Sequence, residues 1–327
     1  MPPALVNLAY LIAAVCFILA FKGLAHPRTA VRGNLTGAFG MLLAIVVTLL
    51  DKHILGYTAI FAGILVGGSI GALVATRVKM TSMPEMVALL NGFGGGASVL
   101  VAGGALVVPD SVSDAPRLQM AIATVTSGLI GAVTFFGSVV AFTKLADFKW
   151  AKDVRFRGQQ ILNSILFLAA LLAAAQVVRD PSVLSWYWVV VAIAALLGIL
   201  LVIPIGGANM PIVICLLNSY SGLAAAATGF VLSNNMLIIA GSLVGASGII
   251  LTTIMCRAMN RSLANVLFGG FGAEAASGGG RGDEIYAGKV KATSAEEVAM
   301  LLEGARRVVF VPGYGMAVAQ AQHAVRA

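Results

Sequence analysis

Nine long apolar stretches occupy most of this 327-residue chain and restrict what it can fold into. A helix needs about 20 mostly apolar residues to cross a bilayer. The stretches run roughly over 4–22, 34–50, 54–76, 84–107, 117–143, 160–178, 184–203, 209–232 and 235–256. With 59% of its residues hydrophobic and only 10% charged, the chain cannot be an ordinary soluble domain. The sequence therefore predicts an all-α polytopic membrane protein with about nine transmembrane helices.

The basic residues of the loops predict how these helices cross the membrane. Loops taken alternately from the first carry twelve Lys and Arg residues, and the other loops carry three. Because cytoplasmic loops are enriched in Lys and Arg, we expect the N-terminus outside and the C-terminal segment in the cytoplasm. Leu5 to Phe21 follows no basic segment, which favours a retained helix over a cleaved signal. The same bias accounts for the net charge of +8, so no nucleic-acid partner is expected.

The eighth stretch is unusual because it carries polar side chains inside an apolar run. Ile203 to Phe230 includes Asn209, Asn218 and a Ser-Tyr-Ser sequence ending at Ser221, bracketed by prolines and glycines. A polar amide in hydrocarbon costs free energy unless it finds a partner. This stretch is therefore expected either to pack on other helices or to line a polar path.

Polar residues also occur in other apolar stretches: Asn91, Ser138, Asn163, Ser164 and Ser247. Such groups usually face the interior of a helix bundle. Interhelical hydrogen bonding is enough to account for single serines, whereas packing and function both remain open for Asn91 and Asn218. No ionisable side chain lies in the middle of a stretch. A proton path here would need water held by Asn and Ser, or a titratable group from another subunit.

Glycines and cysteines also occur within the apolar stretches. The third stretch carries Gly63, Gly67 and Gly71 at spacings of four, which predicts a face for close helix packing. Three cysteines, at 16, 215 and 256, lie in or at the ends of apolar stretches. They are expected to be small buried hydrophobic residues, and no disulfide or metal site is predicted.

The composition changes at Arg261, after the last apolar stretch. We expect a membrane domain over 1–260, a glycine-rich linker over 261–292 and a separate segment over 293–327. Thr293 to Glu297 predicts the start of a short amphipathic helix, because Ser294 and Glu297 have the spacing of a capping box.

The last segment carries a candidate nucleotide motif. Arg306 to Val311 reads as a buried strand, and GYGMAV then leads into a predicted helix, which is the context a dinucleotide fingerprint requires. Gly313 permits the tight turn and Gly315 lets backbone approach a pyrophosphate, but Val318 stands where a third small residue is expected. A plain strand–turn–helix is the alternative. The sequence stops soon after Val318, so we expect only the first βα unit of a Rossmann-like domain, unable to bind a dinucleotide by itself.

Five stretches, in order along the chain, resemble the beta subunit of the proton-translocating NAD(P) transhydrogenase family. They are MPEMVALLNGFGGGAS, GAVTFFGSVVAF, IPIGGANMPIVICLLNSYSGLAAAATGF, LVGASGIILTTIMCRAMNRS and VPGYGMAVAQAQ. The resemblance implies a proton channel completed by helices of an alpha subunit, in a complex that is a dimer in the bacterial inner membrane. It also implies NADP binding after the linker and NAD binding on the alpha subunit, with hydride passing from NADH to NADP as protons flow inward.

The resemblance also implies roles for individual residues. The implied proton-path positions are Asn91, Ser138, Asn218, Ser221, Ser247 and Gly248. Arg261 stands at the implied hinge between membrane and nucleotide domains. The residues at the start of the implied NADP site are Gly313, Tyr314, Gly315, Met316, Ala317 and Val318. No catalytic residue of hydride transfer is expected in this chain.

One departure from the family bears on the proton path. Many relatives have a His where this chain has Asn91, so the resemblance implies that a proton-carrying His lies on a partner-subunit helix. Two alternatives stay open from the sequence. The polar eighth stretch also suits a transporter or channel for a small solute, because discontinuous helices often mark transport sites. With an incomplete nucleotide domain, the chain could instead be a structural membrane anchor.

Overall fold

Nine long helices form the part of the chain that precedes the glycine-rich segment. The computed structural model describes residues 3–51, 57–107, 116–148, 151, 153–260, 262–268, 295–310 and 324–325. The nine helices are α1 (Pro3–Leu24), α2 (Pro27–Asp51), α3 (Tyr57–Arg77), α4 (Met83–Val107), α5 (Arg117–Leu145), α6 (Gln159–Arg179), α7 (Leu184–Val202), α8 (Met210–Val231) and α9 (Asn235–Ala258). Within the described ranges, all nine are long and apolar enough to cross a membrane. The prediction of a mainly helical chain with about nine candidate transmembrane helices is thereby confirmed for the described residues.

The predicted helix ends agree closely with the structure except at the start of α2. That helix begins at Pro27, seven residues before the apolar run at Asn34. Pro is favoured in the first turn of a helix because its missing N–H would have no intrahelical partner there. Arg28 and Arg32 therefore belong to the helix, although both precede the apolar stretch from which the helix was predicted.

Helix α5 packs against four others, α4, α6, α7 and α8. Further contacts pair α1 with α2 and α8 with α9. The α8–α9 hairpin turns sharply, because Ser233 has a φ of 51° in a three-residue connection. Asn234 then caps α9, its side-chain oxygen accepting the Leu237 N–H at 3.0 Å. Such a cap satisfies one of the free N–H groups at the helix start.

Helix α3 differs from the others in its packing. None of its described residues is buried. A methyl group added at Gly63, Gly67 or Gly71 would have no described atom within 4 Å. The close-packing face predicted from the glycine spacing therefore has no partner among the described residues. Of the cysteines, Cys256 is buried and Cys16 and Cys215 are half-buried, all with free thiols.

The chain separates into two units by its contacts, Met1–Gly270 and Phe271–Ala327. The first contains the nine helices and a short helix α10, Leu263–Phe268, which lies inside the predicted linker. In the second, helix α11 spans Ala295–Glu303, as the amphipathic pattern predicts. The predicted strand is wrong for the part described, since Arg306 to Phe310 form no strand. A strand requires a neighbouring chain segment for its hydrogen bonds, and no described residue supplies one.

Candidate functional site

Three helices, α4, α5 and α8, turn their polar residues toward one another along a shared line that we call the polar seam. Helices α4 and α8 run in the same direction, and α5 runs against them, as the pairs described below establish. On α8, Ile214 and Thr228 mark the two ends of the seam. They are fourteen residues apart, or about 21 Å along a helix. The seam therefore extends over much of the roughly 30 Å thickness of a bilayer core.

One end of the seam is built around Asn91 and Ser138. The Asn91 side chain is buried, and its Nδ2 donates to the carbonyl oxygen of Ile214 at 3.4 Å. Ser138 is 0% exposed, and a methyl group added at the adjacent Gly92 would lie 3.1 Å from its Cβ. The Ser138 Oγ has no hydrogen-bond partner among the described residues. Because a buried polar group without a partner is costly, this oxygen is a candidate for contact with a water molecule.

The middle of the seam contains Ser221, which is half-buried on α8. Asn218 is also half-buried and lies one turn before Ser221, at a spacing that places both on one helix face. Ser221 faces α4, where a methyl group added at Gly94 would lie 2.7 Å from its Oγ. At this level α4 and α5 touch through backbone, since a methyl group at Gly95 would lie 2.6 Å from the carbonyl oxygen of Gly131. At these glycines the helices therefore approach one another closely, between the two polar ends of the seam.

The far end of the seam is a cluster of hydroxyl groups. The Ser127 Oγ and the Thr228 Oγ1 are 2.7 Å apart, and Ser127 is also within 3.3 Å of the carbonyl oxygens of Ser98 and Ala224. Thr124, one turn further along α5, is fully buried, and its Oγ1 has no partner in the described part of the chain. All the side chains of this cluster are neutral, so it can hold or pass a hydrogen bond but carries no charge of its own.

Comparison with known proteins shows which family this chain belongs to. A family model for the NAD(P) transhydrogenase beta subunit matches residues 6–327. The chain is 47% identical, over 333 aligned positions, to the protein named NAD(P) transhydrogenase subunit beta of Rhodospirillum rubrum. The match covers 100% of this chain and 71% of that relative, and a second sequence of the same name from a strain of that species matches with the same figures. The chain belongs to the NAD(P) transhydrogenase beta subunit family.

Two predicted proton-path positions of this transhydrogenase beta chain lie away from the seam, where α8 meets α9. Ser247 is half-buried, and its Oγ donates to the Val244 carbonyl of its own helix at 3.0 Å. Gly248 packs on Ser219, where an added methyl group would lie 2.8 Å from the Ser219 Cα. The Ser219 Oγ in turn donates to the Gly245 carbonyl at 2.6 Å. In this structure, therefore, small residues bring α8 and α9 into close contact at these positions.

The remaining predicted site residues of the transhydrogenase beta chain lie in parts of the chain that the structure does not describe. Arg261 and the whole run Gly313–Val318 lie outside the described residues. The described chain holds no group of three His, Cys, Asp or Glu side chains placed to bind a metal ion.

The residues of the hydroxyl cluster of this beta subunit were not predicted from the sequence. A signal for it exists, because Thr124, Ser127, Thr134 and Ser138 recur on α5 at spacings of three, four and seven. Asn218, Ser221 and Thr228 recur on α8 in the same way. Spacings of this kind place side chains on one helix face. The spacing of small polar residues along α5 and α8 of this chain thus indicates a shared interior face.

Proposed function

We propose that this beta subunit couples hydride transfer from NADH to NADP to inward proton translocation, and that the polar seam of α4, α5 and α8 is its share of the proton path. The observation that carries the proposal is the convergence of three polar helix faces inside an otherwise apolar bundle, including the buried, unpartnered Ser138 Oγ. Apolar side chains would fill such an interior at lower cost. The family membership supplies the redox reaction to which this seam would be coupled.

The seam residues have distinct roles in this proposal. Asn91, Ser138, Asn218 and Ser221 hold water by hydrogen bonds, and water rather than a side chain carries the proton between them. Since the described seam has only neutral side chains, a titratable group from an alpha-subunit helix completes the path. Ser247 and Gly248 act at the α8–α9 contact, where they set the position of the helix that carries Asn218.

The nucleotide part of the proposal rests on sequence and family alone. When bound, NADP supplies the hydride acceptor. Gly313, Tyr314, Gly315, Met316, Ala317 and Val318 would begin its site, and NAD would bind on the alpha subunit. Arg261 would lie at the hinge that links this site to the membrane domain.

The setting of the proposed enzyme follows from the same reasoning. The loop charges support an N-terminus outside and a C-terminal segment in the cytoplasm, and the proposed membrane is a bacterial inner membrane. The working complex contains alpha subunits and is a dimer. The match to the family over residues 6–327 favours this function over a solute transporter or a structural anchor.

Asn218→Leu tests the proposal directly. The full-length beta chain is co-expressed with its alpha partner, and NADPH formation and the vesicle pH change are followed together. We expect Asn218→Leu to abolish the hydride-coupled pH change, because leucine cannot hold water in the seam. The matched control is Asn34→Leu, the same change at an exposed position of α2. Proton-coupled turnover that survives in Asn218→Leu would assign Asn218 to packing. No hydride transfer and no pH change in the unaltered complex would refute the function itself.

A further inference from the structure

The C-terminal end of α7 is capped by side chains from elsewhere in the fold. The last carbonyl groups of a helix have no intrahelical partner. Here α7 stops at Val202, Pro204 follows, and α8 begins only at Met210. The side-chain hydrogen bonds to the freed carbonyls are Gln159 Nε2 to Leu200 at 2.9 Å, Lys144 Nζ to Ile203 at 2.5 Å and to Ile205 at 2.9 Å, and Arg155 Nε to Pro204 at 3.0 Å. The Ile203 carbonyl also accepts the Val154 backbone N–H at 3.4 Å. We call these three side chains the α7 clamp.

Lys144 is the enclosed cation of this clamp, since the other cation, Arg155, is exposed. The Lys144 side chain is 3% exposed and extends from the last turn of α5, where a cation complements the helix dipole. An ammonium group has three donors. Two go to the carbonyls of Ile203 and Ile205, and the third goes to Asp153 Oδ1 at 2.6 Å. The full set of partners explains how the charge is tolerated at a buried site. The Asp153 side chain is 47% exposed, so the two carbonyls provide the more enclosed part of the site.

The clamped segment leads directly into the polar seam. Ile205, Met210, Ile212 and Val213 are all buried, and they belong to the same hydrophobic cluster as Ala141 of α5. The next residue, Ile214, provides the carbonyl that accepts the Asn91 hydrogen bond. Because close-packed interiors transmit displacement, a shift at Ile205 would reach this contact.

We propose that Lys144 is a positioning residue for the polar seam: by holding the Ile203 and Ile205 carbonyls, its ammonium group fixes where α8 begins and how α8 sits against α4. For its effect on proton coupling, the inference rests on the proposed function of the seam. Its effect on the position of α8 is independent of that function. Lys144 itself carries no proton along the path.

The position of α8 can be measured by disulfide cross-linking between α4 and α8. Gly94→Cys and Ser221→Cys are introduced together in the assembled complex, with the three native cysteines replaced. A Cβ at position 94 would lie 2.7 Å from the present Ser221 Oγ, which is close enough for a disulfide. We expect Lys144→Met to slow the oxidative cross-link about tenfold, the factor for loss of about one charge-assisted hydrogen bond. Lys144→Arg, which keeps the charge and donors, should recover part of the rate.

Two further variants complete the cross-linking comparison. Lys79→Met is the matched control, because it makes the same change at an exposed lysine. Asp153→Asn leaves both carbonyl bonds of Lys144 in place and should slow the cross-link less than Lys144→Met. If Lys144→Met fails to assemble, Lys144→Gln, which removes the charge but keeps an amide donor, takes its place in this comparison. An unchanged cross-linking rate in Lys144→Met, or in Lys144→Gln where it takes its place, would overturn the inference.

The consequence for coupling is measured without the cross-linking cysteines. For Lys144→Met we expect the ratio of protons moved to hydride transferred, normalised to assembled complex, to fall about tenfold. A purely structural lysine would reduce the amount of complex and leave this ratio unchanged, which would overturn the role in coupling. If the unaltered complex moves no protons while Lys144→Met still slows the cross-link, the proposed function fails and the positioning role stands.

Discussion

The glycine contact between α4 and α5 gives the sharpest prediction about the seam. Gly95→Ala would place a methyl group 2.6 Å from the Gly131 carbonyl oxygen and 3.1 Å from the Phe135 backbone nitrogen. Ordinary contacts between such atoms are near 3.5 Å. The two helices would therefore have to separate by roughly 0.9 Å, because backbone atoms cannot rotate away as a flexible side chain would.

The cost of this separation can be estimated. Overpacking of a tight interior typically costs about 1–3 kcal/mol. Since the unfolding entropy is about 2.1 cal/mol/K per residue, that lowers the midpoint of thermal unfolding of a 327-residue chain by about 1.5–4.5 °C. We expect Gly95→Ala to lower the midpoint by this amount. We also expect it to weaken proton coupling, since Asn91 and Ser98 lie one turn away on either side of Gly95.

Thermal unfolding of the detergent-purified complex, followed by circular dichroism, provides the measurement. Gly104→Ala is the matched control, because it makes the same change on the same helix and would have no described atom within 4 Å of the new methyl group. Any gain in helix propensity on replacing glycine by alanine is common to both variants. Midpoints that agree within about 1 °C would refute the steric argument, because the methyl group at position 95 would then fit without moving α5.

Two predictions concern hydrogen bonds outside the Asn91 end of the seam. The buried Tyr187 hydroxyl donates to the Val99 carbonyl at 2.6 Å. Tyr187→Phe should therefore lower the free energy of unfolding by about 1 kcal/mol, measured by thermal or denaturant unfolding, and leave proton coupling unchanged. An unaltered unfolding midpoint would show that the bond makes no net contribution to stability. The Asn234 side chain caps α9, so Asn234→Ala should cost about 1 kcal/mol and Asn234→Asp should restore most of it. Equal losses in both Asn234 variants would contradict the capping role.

The membrane architecture could be predicted almost completely from the sequence. The length of each apolar run sets whether it can cross a bilayer, and that requirement is local. The exception is the start of α2 at Pro27, because the first turns of this helix are polar. The strand expected at Arg306–Val311 shows the opposite case, since a strand depends on pairing with a segment that local patterns do not identify.

The candidate site could be predicted only in part. Asn91, Asn218 and Ser138 stand out because polar groups in an apolar run are costly wherever they point. The sequence does not show that Asn91 meets Ile214, or that Ser127 of α5 meets Thr228 of α8. The residues of each pair are more than a hundred positions apart, and no spacing rule joins separate helices.

The sequence by itself determined the number of membrane helices, their approximate ends and the absence of a charged side chain in the middle of any apolar run. The tertiary structure decided which helix faces meet, where glycines narrow the seam, and that Lys144 holds the end of α7. The physical reason is that lipid is as apolar as a leucine side chain, so hydrophobicity does not distinguish a face that packs on protein from one that faces lipid. Close packing and interhelical hydrogen bonds make that distinction, and both are properties of the assembled bundle.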